Sequence, residues 1–286
     1  MSPALAAVTC HFNPCGYLRP RENYLRFRNA FHGCPLFTVE VSFDGQFHIV
    51  ADWQIVATEH NLMWQKEQLL NWAIERVPAD FDQIAWIDAD LVFLNPHWAD
   101  ATSRLLEDFP IVQLFENCHW TTARGTIERS GPSRVRQRRE HLRQHGQPGG
   151  AWAARRDLLA KHGLYAGNII GGGDTLFADA LFGVNSPYVA RNLPRQLVAD
   201  VRRWGRALHR EVQGRVGCTP GDVVHLYHGT RENRRYVERS AILRETKFDP
   251  QRDIRIGSNG LLEWASNKPD LHRRVRDYFL ARREDE

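Results

Sequence analysis

The pattern of apolar and polar positions predicts strands alternating with helices. Apolar runs at 6–12, 84–88 and 111–115 are typical of buried strands, and a polar alternation at 36–43 predicts another. Helices are predicted at 21–31 and, from apolar residues at helical spacing, at 62–77 before Pro78. This order indicates an α/β fold with a mostly parallel sheet, whose ligands bind beyond the carboxyl ends of its strands.

The second half continues with helices and one further strand. Helices are predicted at 155–162, after Asp174, near 196–212 and near 271–283, and a buried strand at 223–227. The chain has neither an internal repeat nor a long linker, so a single domain is predicted over 1–286. Its two halves, 1–118 and 149–286, are joined by the segment 119–148.

Composition and charge narrow the class of protein. With 286 residues, 42% of them apolar and 25% charged, the chain is not disordered, collagen-like or coiled-coil. Residues 1–118 carry 7 basic and 15 acidic side chains, whereas residues 119–286 carry 31 and 19. This asymmetry indicates an anionic partner for the second half, although arginine supplies 34 of the 38 cations and codon bias explains such a preference equally well.

The most basic segment lies in the middle of the chain. Residues 124–145 hold seven arginines against two glutamates and few apolar residues. Such a composition predicts a solvated, mobile loop or a short helix.

The spacing of the cysteines and the character of the N-terminal sequence indicate the cellular compartment. The five cysteines lack CxxC or zinc-site spacing, so reduced thiols are predicted. The N-terminus lacks a basic region followed by an apolar stretch, and no later window reaches the roughly 18 apolar residues of a membrane span. A cytoplasmic protein without an integral membrane segment is therefore expected.

Two acidic motifs carry candidate chemistry. Asp88-Ala89-Asp90 follows an apolar strand directly, where two carboxylates can share a divalent cation such as Mg²⁺ or Mn²⁺. In Gly171-Gly172-Gly173-Asp174 the glycines allow close approach of a ligand, and Asp174 is either a helix cap or a general base.

A histidine pair and a helix provide the remaining polar candidates. His225 and His228 lie at the end of the predicted strand 223–227, where an imidazole can complete a carboxylate-rich metal site. Lys66 and Glu67, on the helix before the Asp-x-Asp strand, are typical of a solvated face, although one of them could reach the same region.

Taken together, these motifs resemble the nucleotide-sugar glycosyltransferases of the GT-A fold. The segment IAWIDADLVF resembles their Asp-x-Asp strand end. The stretch GGAWAARRDLLAKHGLYAGNIIGGGDTLFADALFG (149–183), followed by HLYHGTRENRRY (225–236), is similar in order and spacing to the C-terminal half of β-1,4-galactosyltransferase-like enzymes. The resemblance covers most of 6–236 loosely and 149–183 best. It implies a GT-A type, Rossmann-like α/β sandwich with a mixed, mostly parallel central sheet.

The resemblance also implies roles for individual residues. Asp90 and His228 would be metal ligands, Asp88 would contact the metal through water or the ribose, and the ion would be Mn²⁺ or Mg²⁺. Asp174 would take the proton of the acceptor hydroxyl. The residues expected to bind the nucleotide sugar are Thr9, His11, Phe12, Asp88, Asp90, Trp152, Gly172, Gly173 and Arg231.

The implied activity is transfer of a sugar, hexosyl or pentosyl, from a UDP-sugar to an acceptor hydroxyl. Inversion is favoured over retention because of the match to the family's Gly-Gly-x-Asp motif. In this division of the chain, 1–118 would hold the donor and metal, and 149–286 the acceptor and base. The sequence departs from the family at Gly173, where an acidic residue is usual, and it lacks the family's secretory anchor and disulfides, which points to a bacterial or viral relative.

The acceptor is the least determined part. Arginines in Arg124–Arg143 and Arg202–Arg210 suit a phosphate-bearing acceptor, such as a hydroxylated phage DNA base that is flipped out of the duplex, or a glycolipid phosphate. A solvated Arg-rich loop beside an ordinary sugar acceptor is the alternative.

Two other functional classes remain open. A nucleic-acid-binding module with a degenerate site would leave Asp88, Asp90 and His228 apart in space. A nucleotidyltransferase would need a Gly-rich basic loop after the first strand, which the sequence at 13–21 matches poorly.

Overall fold

A seven-stranded sheet forms the centre of the computed structural model, which describes residues 4–143, 145–184, 187–236 and 238–286. One residue of the Arg-rich segment, Gln144, lies outside the described residues. The other positions named in the sequence analysis lie within them.

The strands belong to three sheets. The central sheet has the order β10-β6-β9-β4-β1-β2-β3, a second sheet the order β5-β11-β7-β8, and β12 pairs with β13. Their bounds are β1 Leu5–Phe12, β2 Leu36–Ser42, β3 Trp53–Val56, β4 Gln83–Ile87, β5 Leu91–Phe93, β6 Ile111–Gln113, β7 Asn117–Thr121, β8 Ile127–Pro132, β9 Ala151–Arg155, β10 Val216–Cys218, β11 Asp222–His225, β12 Ile254–Ile256 and β13 Leu262–Trp264.

The helices lie between these strands and at the C-terminus. Their bounds are α1 Leu18–Ala30, α2 Lys66–Ile74, α3 Trp98–Asp108, α4 Arg134–Arg139, α5 Arg156–His162, α6 Gly173–Leu181, α7 Pro187–Asn192, α8 Arg195–Val212, α9 Arg231–Arg234, α10 Ser240–Glu245, α11 Pro250–Asp253 and α12 Pro269–Ala281, with a 3₁₀ turn at Glu59–Asn61. None of the helices in the described ranges combines the length and the apolar character that a membrane crossing requires.

The predicted fold class is confirmed. All neighbours in the central sheet are parallel except β9, which runs antiparallel to both β4 and β6. The sheet is therefore mixed and mostly parallel. Apart from the edge strand β3, its strands are almost wholly buried, as expected for a sheet covered on both faces.

Strand β9 was not predicted from the sequence. Its residues, Ala-Trp-Ala-Ala-Arg, include no β-branched side chain, yet it lies in the middle of the sheet between β4 and β6. The small alanines are fully buried there, because the neighbouring helices pack closely on both faces. Burial from tertiary packing thus overrides weak β-propensity.

The Arg-rich segment has more regular structure than the predicted loop or short helix. Residues Ile127–Pro132 form β8, an edge strand paired antiparallel with β7, and Arg134–Arg139 form α4. The first four residues of β8 are exposed. Charged side chains, here Glu128 and Arg129, on a solvent-facing edge strand are a common form of protection against pairing with other chains.

The topology brings several predicted site residues to one edge. Strands β1 and β4 run parallel and end at the same edge, followed by Asn13 and Asp88. Because β9 is antiparallel, its first residue, Ala151, lies beside the last residue of β4, Ile87. The backbone N–H of Asp88 donates to the carbonyl of Gly150 over 2.7 Å, which fixes the chain at that point.

Candidate active site

A deep cleft opens at this edge of the central sheet. Its volume is about 1100 Å³, and it lies between the central sheet, the second sheet and the C-terminal helices. The polar side chains on its wall that matter most here are Asp88, Asp90, Asp174, His225 and His228. Residues that are far apart in sequence therefore share one solvent-accessible chamber.

Asp90, His225 and His228 form a compact group of ligand atoms. One ligand atom of each residue lies within 4.8 Å of those of the other two. Oδ1 of Asp90 lies 3.9 Å from Nε2 of His225. The convergence follows from the second sheet, because β5 begins directly after Asp90 and pairs antiparallel with β11, which places Leu91 opposite His225.

Both imidazoles are oriented by the same backbone carbonyl. Nδ1 of His225 lies 3.0 Å from the carbonyl oxygen of Leu226, and Nδ1 of His228 lies 3.2 Å from it. A carbonyl oxygen only accepts, so each Nδ1 carries the hydrogen in these bonds and each Nε2 keeps its lone pair. The N–H of Leu226 donates in turn to the carbonyl of Asp90 over 2.8 Å, which ties the histidines to the carboxylate.

This group fits a divalent cation. Oδ1 of Asp90 is buried and has no hydrogen-bond partner among the residues that the structure describes, which is costly for a carboxylate oxygen unless a cation satisfies it. Burial, followed by the charge of Arg234, holds the pKa of His228 well below its usual range, so the ring is neutral. One carboxylate and two imidazole nitrogens suit Mn²⁺ better than Mg²⁺, which prefers oxygen ligands.

Lys66 connects the first aspartate to the candidate base. It is the first residue of α2, and its Nζ lies 2.5 Å from Oδ1 of Asp88 and 3.2 Å from Oδ1 of Asp174. Burial lowers the pKa of Lys66, but the charges of Asp174 and Asp88 outweigh it and hold that pKa well above its usual range. The ammonium group is thus a charged bridge between the strand end and helix α6.

Burial also acts on the two neighbouring acids. It raises the pKa of Asp88 to about 6, with Lys66 opposing and Asp174 adding to the shift. Burial raises the pKa of Glu67 to about 7, again against the effect of Lys66. Burial is therefore the largest influence on the pKa values of both acids. The single ammonium group of Lys66 opposes it but does not fully offset it, because three carboxylates surround that one cation.

The prediction of a solvated face for Lys66 and Glu67 is wrong. Only 13% of the Lys66 side chain and 7% of Glu67 are exposed. The glycine at position 173 explains the fit, because a Cβ there would meet the Glu67 carboxylate.

Gly149 has a similar function beside Asp174. A Cβ at position 149 would meet the Asp174 carboxylate group, so only glycine leaves room for that side chain. One glycine from each of the two glycine motifs therefore leaves room for an acid, Gly149 for Asp174 and Gly173 for Glu67.

Several predicted donor-binding residues line the cleft. His11 and Phe12 at the end of β1, Gly172 in the glycine turn and Arg231 at the start of α9 all contribute to its wall. Thr9 does not: it is fully buried, and its hydroxyl donates to the carbonyl of Ile87 over 2.8 Å. Its role is to join β1 to β4.

Trp152 also lies away from the cleft, which corrects the prediction of a sugar-binding residue. It is 1% exposed, its indole N–H donates to the carbonyl of Pro148 over 2.9 Å, and its ring packs edge-on against Phe177. On a central strand this side chain points into the layer between sheet and helices. It contributes to the core.

The basic regions proposed for an anionic acceptor differ in position. Arg129 and Arg134, from the Arg124–Arg143 segment, line the cleft. Other arginines of that segment have local partners: Arg136 pairs with Glu140, and Arg138 lies over the ring of Phe182. Arg202–Arg210 lies on α8, whose described side chains are not part of the cleft wall.

From the sequence, His225 was considered only together with His228, as a neighbour at the same strand end. Two signals were available: its place at the end of an apolar strand and the i, i+3 spacing of the two histidines. The sequence did not indicate the pairing of β5 with β11, which brings His225 close to Asp90. Asp88, by contrast, pairs with Lys66 and lies outside the group of ligand atoms.

Comparison with known proteins gives structural likenesses only. No protein-family model matches the chain, and no curated protein gives a significant match. Among solved structures, a mutant of Drosophila β1,4-galactosyltransferase 7 in complex with manganese, UDP-Gal and xylobiose is similar, with 13% identity, a TM-score of 0.45, and coverage of 95% of this chain and 98% of that one.

Two further structures show comparable likeness. The catalytic domain of the Drosophila enzyme with xylobiose has 13% identity and a TM-score of 0.36, over 76% of this chain and 65% of that one. Glucosyl-3-phosphoglycerate synthase from Mycobacterium tuberculosis, with Mn²⁺, UDP-glucose and phosphoglyceric acid, has 14% identity and a TM-score of 0.41, over 84% and 79%. The chain is thus similar to sugar transferases, as its motifs implied, but likenesses this distant assign no residue.

Proposed function

We propose that this protein is a metal-dependent glycosyltransferase that moves a sugar from a nucleotide diphosphate sugar, with UDP as the nucleotide, to an acceptor hydroxyl. The observation that carries the proposal is the group formed by Asp90, His225 and His228, beside Asp88 and Asp174, in one cleft. A binding module with a degenerate site would have no reason to keep a buried carboxylate oxygen without a partner next to two oriented imidazoles.

Asp90, His225 and His228 would hold Mn²⁺ or Mg²⁺, and a cation there neutralises the diphosphate and stabilises it as a leaving group. Arg231 supplies a guanidinium on the cleft wall for the same phosphates. His11 and Phe12, at the end of β1, form the wall on which the nucleotide base would lie.

Asp174 is the proposed general base. Its carboxylate accepts hydrogen bonds from Lys66 at 3.2 and 3.3 Å, which fixes its position. An ionised carboxylate can take the proton of an acceptor hydroxyl as that oxygen attacks the anomeric carbon opposite the leaving diphosphate. This geometry of attack inverts the configuration at the anomeric carbon.

The acceptor is proposed to carry negative charge. Arg129 and Arg134 bring positive charge from the Arg-rich segment to the cleft. Arg129 lies 3.4 Å above the ring of Trp120, so its guanidinium is held in place. A hydroxylated DNA base or another phosphate-bearing molecule is the acceptor class that this charge suits.

A donor screen tests the proposal. Nucleotide sugars are added with Mn²⁺, and thermal stabilisation and hydrolysis of the donor are measured, first without acceptor and then with single-stranded and duplex DNA. Stabilisation by UDP or a UDP-sugar that depends on Mn²⁺ is expected. Absence of stabilisation by every nucleotide sugar would contradict the proposed function.

A further inference from the structure

Arg239 is a buried cation on the wall of the cleft that the proposed mechanism does not use. It precedes helix α10, is 8% exposed, and contributes to the cleft lining. Nη1 donates to the hydroxyl of Tyr278 over 3.0 Å, and the guanidinium lies 5.1 Å from the ring centre of Tyr236. Nε is buried and finds no hydrogen-bond partner within the described ranges.

Other deeply placed cations near the cleft form ion pairs with carboxylates. Lys66 pairs with Asp88 and Asp174, and both Arg234 and Arg282 pair with Glu284. In the part of the chain that the structure describes, Arg239 forms no ion pair with any carboxylate. A buried charge is costly unless it is paired, so the lack of a carboxylate partner for Arg239 requires an explanation.

The guanidinium of Arg239 lies against the turn that carries Asp174. Gly171 and Gly172 have φ values of +83° and +97°, and a Cβ on either would come within 3.2 or 3.3 Å of an Nη atom of Arg239. The indole of Trp64 lies on the same turn, and its Nε1 is likewise buried without a partner. Two N–H donors that lack a hydrogen-bond partner among the described residues, Nε of Arg239 and Nε1 of Trp64, thus belong to side chains packed on this turn.

The same turn begins helix α6. Gly172 is its N-cap and offers no side chain to satisfy the first N–H groups of this nine-residue helix. A helix N-terminus favours a negatively charged ligand, because the N–H dipoles point outward from it. The unpaired guanidinium adds a full positive charge at the same place.

We infer that Arg239 and the N-terminus of α6 form an anion subsite that binds a carboxylate or phosphate group of the acceptor, next to the base Asp174. The inference rests on the proposed function and adds a specific location for the acceptor's charge. A guanidinium can hold either anion through two parallel N–H donors. The carboxylates of Asp174 and Glu67 lie nearby, so the anion must contact the Arg239 side of the turn.

The test uses the whole chain with UDP and Mn²⁺ at saturation. Inorganic phosphate and acetate are then titrated separately, and binding is followed by calorimetry and, for phosphate, by ³¹P line broadening. Phosphate is expected to bind, and Arg239→Gln is expected to weaken it about tenfold to a hundredfold, the range for a charged hydrogen bond. The affinities for phosphate and acetate show which anion the subsite prefers.

Arg244→Gln is the matched control, because Arg244 is exposed on α10 outside the cleft. Its phosphate affinity should equal that of the wild type. If Arg239→Gln does not fold, Arg239→Lys keeps the charge and the aliphatic stem but loses the fork of donors, so binding should weaken several-fold. Unchanged affinity in the Arg239 variants, or no binding of either anion to the wild type, would contradict the inference.

Two results separate this inference from the proposed function. Phosphate binding that requires Arg239 in a protein that binds no UDP would support the subsite and contradict the donor site. Phosphate binding that disappears when UDP and Mn²⁺ are present would place the anion in the donor site and overturn the assignment to the acceptor.

Discussion

The ammonium nitrogen of Lys66 lies 3.2 Å from Oδ1 of Asp174, although 108 residues separate them in the sequence. The same nitrogen contacts Asp88, so one buried cation joins the end of β4 to the start of α6. Positions of the proposed base and of the Asp-x-Asp motif are therefore coupled through α2. A change at Lys66 should affect both.

Lys66→Met should lower kcat about tenfold to a hundredfold, because the base loses the contact that positions it. The acidic limb of the kcat profile should also move to higher pH, because the charge of Lys66 opposes the effect of burial on Asp88 and its loss raises the pKa of that carboxyl further. A pH profile of sugar transfer measures both effects. Lys161→Met is the control, because Lys161 is an exposed partner of Glu211.

An unshifted pH profile in Lys66→Met, with kcat equal to that of the control, would show that the bridge has no part in the reaction. A lower kcat with an unshifted profile would limit Lys66 to positioning the base.

Glu67 should make stability depend on pH. Burial raises its pKa to about 7 in the folded protein, against a usual value of 4.5. Between these values the unfolded chain releases a proton that the folded protein keeps, so the free energy of unfolding falls as pH rises. In Glu67→Gln this loss is absent. Between pH 4 and pH 8 the free energy of unfolding of the variant should therefore rise by about 3 kcal/mol relative to that of the wild type.

Urea unfolding at several pH values measures the effect. Glu75→Gln, an exposed position just after the same helix, should follow the wild type at every pH. A Glu67→Gln curve parallel to the wild type would mean that Glu67 is already ionised in the folded protein at acidic pH.

Asp174→Asn should abolish sugar transfer and leave UDP binding intact. The substitution keeps the size of the side chain but removes the group that takes the proton, so only the chemical step is affected. Transfer is measured with the donor found in the screen, and UDP affinity by calorimetry. Turnover equal to that of the wild type would remove Asp174 from the role of base.

Much of the fold and half of the site were predictable from the sequence. Strong apolar runs marked β1, β4 and β11, and Asp88 and Asp90 were placed correctly at the end of a strand because the run ends directly before them. The glycines before Asp174 marked a turn with positive φ. These features depend on local sequence, where hydrophobic periodicity and turn chemistry are informative.

The remaining features depend on contacts between distant segments. His225 joins Asp90 through the pairing of β5 with β11, and a three-residue strand such as β5 leaves almost no periodic signal. Lys66 and Glu67 are charged residues on an amphipathic helix, where a solvated face is the usual outcome. Gly173 leaves room for the Glu67 carboxylate, and Lys66 is buried between Asp88 and Asp174, contacts that the local sequence does not show.

The role of Asp90, His225 and His228 as a metal site is the central claim, and Mn²⁺-dependent binding of UDP tests it most directly. Calorimetry with and without Mn²⁺ should show tight UDP binding only with the ion, and His225→Ala should weaken Mn²⁺ binding at least tenfold. His119→Ala, on the neighbouring strand β7 and paired with Asp222, should bind as the wild type does. Equal Mn²⁺ affinity in wild type and His225→Ala, or UDP binding that does not depend on Mn²⁺, would contradict the account.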